Sequence, residues 1–345
     1  MAFLEILLAL AIERLWLSVV AWRRFTWFTH FTAWSKMRVI GVNVDDIHEG
    51  TRAVGGGTPG TVGSVNKNSD RRSRVSVLLA TLAPALGVGL IHYLFSELLL
   101  ILAVIFDVAV LIYCLGPKDL DTQVRAFMHA CTHADKDAAQ HYMADITGVD
   151  ITPPASLTTP QMIRCVIEAI LIQANERWFA VIFWFFVLGP MGAIFYRLSS
   201  LLKYSTDTLH REERHPAGCR ETSLSPDTLD QPDNFAAAAH RLHAILGWLP
   251  ARCTALSYAI MGSFVDAIDG WSQDISDQIM NHSSSNTGVV IASGLGALRM
   301  HDSEHGVKKK ILGVSHVRNA LALVWRTVIF CLVVILVVSL TSSLI

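Results

Sequence analysis

The run from Asn175 to Lys203, NERWFAVIFWFFVLGPMGAIFYRLSSLLK, constrains the chain more than any other stretch. It carries no charge between Trp178 and Tyr196. At about 1.5 Å per helical residue that length reaches across a bilayer core of about 30 Å. Gly189-Pro190-Met191-Gly192 interrupts it, and broken backbone survives at membrane depth only where protein or a water-lined cavity satisfies it again. Two forms fit: a kinked spanning helix, or two half-helices meeting inside the membrane. Asn175, Glu176 and Arg177 stand at the entrance. Arg177 can hold an anionic ligand there or snorkel as an interfacial anchor.

The composition agrees with a membrane setting. Hydrophobic residues make up 52% and charged residues 17%, against about 25% charged in soluble domains. We therefore expect an all-α polytopic membrane protein with about four to six transmembrane or re-entrant helices and amphipathic cytosolic helices. Its expected partners are the lipid bilayer and an unidentified protein or small-molecule signal. A net charge of −1 offers no basic field for nucleic acid. The six cysteines form no CxxC pair and read as isolated thiols.

Residues 1–41 read as an anchor helix over 3–22 followed by an aromatic interfacial helix, with Glu13 and Arg14 costly at membrane depth unless they face protein or each other. Residues 42–76 read as a flexible Gly- and Ser-rich insert. Gly55–Ser64 lacks the Lys-Ser/Thr ending of a phosphate loop. Residues 77–115 form a transmembrane hairpin kinked at Pro84, with Asp107 near the middle of its second arm, either a functional carboxylate or a buried acid bonded to neighbouring helices. Region 116–324 opens with one or two amphipathic helices over 118–148. His129, His133 and Asp137 recur there at helical spacing, as on a solvated face or a metal-holding one. A further helix begins at Thr159-Pro160, 178–198 follows, 205–233 reads as a polar loop, and a second span is possible at 245–265. His301–His305 reads as a solvated loop. Residues 325–345 form the last spanning helix. Basic residues between Arg23 and Arg74 and at Lys308–Lys310 place those loops in the cytosol, with a periplasmic N-terminus.

GPKDL at 116–120 and ANERWFAVIFWFFVLGPMGAIFYRL at 174–198 resemble the AmpE family, bacterial inner-membrane proteins that modulate the signalling of β-lactamase induction. The resemblance runs through most of the chain outside 42–76. It extends to the wider CobD/CbiB cobalamin-biosynthesis proteins, which attach an aminopropanol arm to the corrin side chain. Glu168 falls at the first acid of that family's E-T-x-x-E-N-T run. Gly189-Pro190 and Gly192-Ala193 match its Gly-Gly-x-x-Gly-Ala segment, and Pro250-Ala251-Arg252 its P-A-R. Asn286, Gly288 and Gly296-Ala297-Leu298 match its Pro-Asn-x-Gly and Gly-Ala-Leu.

Other positions depart from the pattern. The second acid and its Asn-Thr become Ile172, Gln173 and Ala174. The Asn and Asp after Tyr-Arg become Ser200 and Lys203. The Asp-Asp-x-x-Asn becomes His243, Ala244 and Gly247, and a late Glu becomes Ile291. Such groups could bind metal–phosphate or move protons. Their loss favours a non-enzymatic regulatory accessory of β-lactamase induction or cell-wall sensing. The alternative is an adenosylcobinamide-phosphate synthase, motivated by Glu168, Asn286 and Arg197. A third reading, a small-molecule transporter, follows from the broken helix. The candidate ligand-binding residues are Glu168, Asn175, Glu176, Arg177, Arg197 and Asn286. Gly189, Pro190, Gly192, Pro250 and Arg252 are expected as structural. No catalytic set, metal site or cofactor is assigned.

Overall fold

The computed structural model describes residues 2–15, 28, 32, 62–115, 120–148, 158–214, 234–281, 286–300 and 313–344. Among these, all regular structure is helical, as the composition led us to expect. The interfacial aromatic pattern apart from Phe28, Gly116-Pro117 and His301–His305 lie outside the described residues. Glu13 and Arg14 fall within the first helix, their side chains outside the description.

Helix α1 is Ala2–Leu15, α2 Val62–Leu98 and α3 Leu100–Cys114. The expected hairpin is present, and its turn is the extended backbone of Leu99. Helix α2 starts well before the apolar run: its first turns come from 62–76, which the sequence suggested was flexible insert. It continues through Pro84. Asp107 is not alone: His92 Nδ1 reaches its Oδ1 at 2.7 Å, tying the two arms together.

Helices α4 (Leu120–Thr132) and α5 (Lys136–Thr147) are the expected amphipathic pair, burying Val124, Phe127, Met143 and Ile146. Ala134 turns the chain between them with φ 56°, and Asp135 caps α5 by accepting from the Ala138 N–H at 3.1 Å. That turn puts Asp137 on a different helix from His129 and His133, so the three do not share one face. The two histidine rings lie side by side, Nε2 to Nε2 at 3.1 Å.

Helix α6, Thr159–Ala174, starts where Thr159-Pro160 indicated. The Thr158 N–H donates to Gln161 Oε1 at 2.9 Å, a reciprocal cap of the first turn. A π-helical turn, Asn175–Phe179, joins it to α7, Ala180–Arg214. Helix α7 is broken inside at Gly189, whose φ of 67° and ψ of −155° leave helical space. Its C-terminal turns extend into 205–214, expected as loop. Helix α8, Asn234–Met261, runs unbroken through Pro250, so the amphipathic segment and the P-A-R segment are one element. Helix α9, Phe264–Asn281, has no counterpart in the sequence reading. Helices α10 (Asn286–Ala297) and α11 (Val314–Leu344) complete the fold.

Among the described residues, four stretches are long and apolar enough to cross a membrane: Arg71–Leu98, Thr159–Thr206, Asn234–Met261 and Val314–Ser342. Their outward faces are apolar. Leu82, Leu86 and Leu90 on α2, Ile105 on α3, and Val333 and Val337 on α11 are exposed. A band of that size is stable against lipid and not against water.

The interior divides in two. One core unites α4, α5, α6, the C-terminal half of α8, α9, α10 and the start of α11. The other unites α1, α2, α3, α7 and the N-terminal half of α8. The π-turn and the middle of α8 lie on the seam between them, and polar residues gather there.

Candidate functional site

The π-turn creates the site. The Ala180 N–H bonds to the Asn175 carbonyl, five residues back. One extra residue in a turn rotates the following helix by about 100° relative to a continuous α-helix. Asn175 and Glu176 are both buried as a result. They face a cavity of about 230 Å³ with Tyr196 and Lys203 from α7, His240 and His243 from α8, and Asn286 and Thr287 from α10.

Glu176 is its centre. The Tyr204 hydroxyl donates to Oε2. Lys203 Nζ stands 3.4 Å and His243 Nε2 3.5 Å from Oε1. A carboxylate this buried is costly unless donors surround it, and here three side chains from two helices do. Asn175 Oδ1 accepts from Thr254 Oγ1 at 2.9 Å, which assigns the other end of the amide as donor. Asn286 Nδ2 donates to the Ala244 carbonyl at 2.7 Å. Its Oδ1 accepts from Arg252 Nη1 at 3.3 Å, and that guanidinium lies 4.2 Å above the Trp248 ring. Gly247 permits the approach, since a Cβ there would stand 3.3 Å from Asn286 Nδ2. Arg252 is thus the brace that holds Asn286. Two atoms stand out: Tyr196 OH and His243 Nδ1 are buried with no hydrogen-bond partner among the described residues, whereas buried polar atoms are ordinarily bonded.

Of the expected ligand residues, this cavity gathers Asn175, Glu176 and Asn286. Glu168 and Arg177 are elsewhere. They line a second cavity of about 500 Å³ with Asp145, Gln173 and Tyr204, and Glu168 Oε1 is held by Arg164 Nε at 3.0 Å. Ile172 borders both cavities. Arg197 is buried and lines neither. The Gly189–Gly192 break lines neither cavity. Gly192 fits because a Cβ there would collide with the Trp184 carbonyl.

Lys203, Tyr204, Tyr196 and His243 were not among the candidates. One signal pointed to two of them. Ile172, Lys203, His243, Ala244 and Gly247, all positions that depart from the family pattern, line the first cavity together. Five of the nine departures thus share the wall of one site, while Gln173 lines the second cavity. Their chemistry does not suit metal-bound phosphate. Among the described residues Glu176 is the one carboxylate in that wall, and Tyr204, Lys203 and His243 already stand at its oxygens. Among the described residues, no three His, Cys, Asp or Glu side chains are grouped to hold a metal ion.

Comparison with known proteins assigns the fold to a lineage. A family model described as CobD/Cbib protein matches residues 15–207, more than half of the chain. A protein of Chromobacterium violaceum named "Cobalamin biosynthesis protein CobD" is 30% identical over 198 residues, covering 57% of this chain and 55% of that protein. A protein of Stutzerimonas stutzeri with the same name is 28% identical over 242 residues, covering 67% and 71%. The match therefore spans about half the length of the first relative and more of the second. No solved structure matches. These matches correct the AmpE resemblance: they carry cobalamin-biosynthesis names and nothing of β-lactamase induction, so the regulatory role expected from that resemblance falls. The chain belongs to the CobD/CbiB family.

Proposed function

We propose that the chain is a bacterial inner-membrane protein of cobalamin biosynthesis, acting in the amide-forming step that joins an aminopropanol arm to a carboxyl side chain of the corrin. The observation that carries this reading is the cavity around Glu176, to which the family-matched segment contributes Ile172, Asn175, Glu176, Tyr196 and Lys203. It sets a carboxylate and a lysine 3.4 Å apart in a wall of neutral hydrogen-bonding groups. With the carboxyl activated by a nucleoside triphosphate as an acyl phosphate, the amine nitrogen forms the C–N bond as phosphate leaves, and a carboxylate so placed can take the proton that the amine sheds. The seam between the two cores gives polar substrates a site beside the apolar band. The positive-inside reading supports a cytosolic location for α4, α5 and the approach to α11.

The test is complementation of a cobalamin auxotroph lacking its cobinamide-phosphate synthase. Growth without added cobinamide-phosphate products is expected from the native chain, and none from Glu176→Gln at equal membrane expression. A well-expressed native chain that never restores growth would refute the reading.

A further inference from the structure

The first cavity holds more donors than its one carboxylate can use. Lys203 Nζ has three N–H groups. Tyr196 is fully buried and its hydroxyl has no partner among the described residues; His243 is 8% exposed and its Nδ1 is in the same position. Asn175 also lines this space, its oxygen accepting from Thr254 Oγ1. Helix α10 begins at Asn286, and residues 286, 287 and 290 of its first turns form part of the wall. The start of a 12-residue helix presents N–H groups and the positive end of its dipole. The acids that could have bridged a phosphate through a divalent cation are Ile172, Lys203 and His243 here.

From this donor set we infer that the cavity binds the anionic group of its substrate, a phosphate monoester or a carboxylate, directly through Lys203, His243, Tyr196 and the α10 N-terminus, without a divalent cation. Lys203 stands in for the metal: it neutralises the anion while Glu176 and Tyr204 fix its position. The inference rests on the proposed role for the site but concerns recognition, not bond formation.

The experiment uses the full chain purified in lipid nanodiscs and titrated calorimetrically with inorganic phosphate and, separately, with acetate. Each titration is run with magnesium and with EDTA. Binding of at least one anion is expected, equal in the two conditions, and the anion that binds identifies the group recognised. Lys203→Met should weaken it by about 10- to 100-fold, the loss of one charge-assisted contact, while Lys203→Arg keeps most of it. Lys203→Met leaves Glu176 with fewer donors and can unfold the chain. Tyr196→Phe is therefore the second variant: it removes one unpartnered hydroxyl and should weaken binding by about 3- to 10-fold. Binding that disappears in EDTA overturns the inference, as does no binding of either anion at millimolar concentration, or unchanged affinity in Tyr196→Phe. Cation-independent binding in a chain that fails to complement the auxotroph would keep the anion site and discard the amide-forming reading. Complementation by a chain whose binding needs magnesium would do the reverse.

Discussion

Glu176 gains its role through partners distant in sequence. Lys203 and Tyr204 come from two turns beyond Tyr196 on α7 and His243 from α8, and no local spacing announces that they will meet one carboxylate. Glu176→Gln should reduce stability by about 1–3 kcal/mol, since Lys203 and Tyr204 would lose a charged acceptor in a buried place. Thermal unfolding in detergent measures this, and an unchanged midpoint would mean the network holds nothing. Asp107 offers a comparable case away from the site. His92→Ala and Asp107→Ala, alone and together, should show a coupling of about 1–2 kcal/mol. Strict additivity would show that the 2.7 Å contact carries no energy.

Two elements depart from simple helices, and each departure has a distinct use. The π-turn at Asn175–Phe179 aims polar side chains into the seam. The break at Gly189 redirects α7 within the second core. Gly189→Ala would impose a left-handed conformation on an L-residue at a cost of about 1–2 kcal/mol, seen as a lower unfolding midpoint with the cavity intact. Helices α9 and α10 pack backbone to backbone: a Cβ on Gly296 would run into the Asp266 carbonyl, and one on Gly270 would stand 2.8 Å from the Ala292 carbonyl. Gly296→Val should cost about 1–3 kcal/mol or more by overpacking. Equal expression and stability of that variant would mean the two helices are not in close contact. Small-residue periodicity of this kind was visible in α10. The partner face on α9 was not, because which residues of α9 meet α10 depends on how the two helices pack and not on local periodicity.

At the scale of the molecule, α4, α5 and the start of α11 share one core, so the loops they carry must lie on the same side of the membrane. Asp137→Cys on α5 and Arg318→Cys on α11 are exposed positions. In a background without native cysteines, both should react with an impermeant maleimide only after the membrane is opened. Labelling of one from outside and the other from inside would break the shared core.

The sequence by itself determined what depends on composition and local periodicity. That includes an all-helical membrane chain, the hairpin of α2 and α3, the amphipathic α4–α5 pair and the last span. It also includes the wider kinship to the CobD/CbiB family. Gly189, Pro190 and Gly192, expected as structural, line neither cavity, and the first cavity draws on both ends of the segment, Asn175 and Glu176 from one and Tyr196 and Lys203 from the other. Tertiary structure alone decided which polar groups meet. It divided the six candidate ligand residues between two cavities and a buried position. It also brought Lys203, Tyr204 and His243 to the carboxylate. The reason is physical: helical periodicity fixes which face of one helix a residue occupies, whereas the facing partner depends on how whole helices pack along a seam. At Asn175–Lys203 a single extra residue in one turn set that facing.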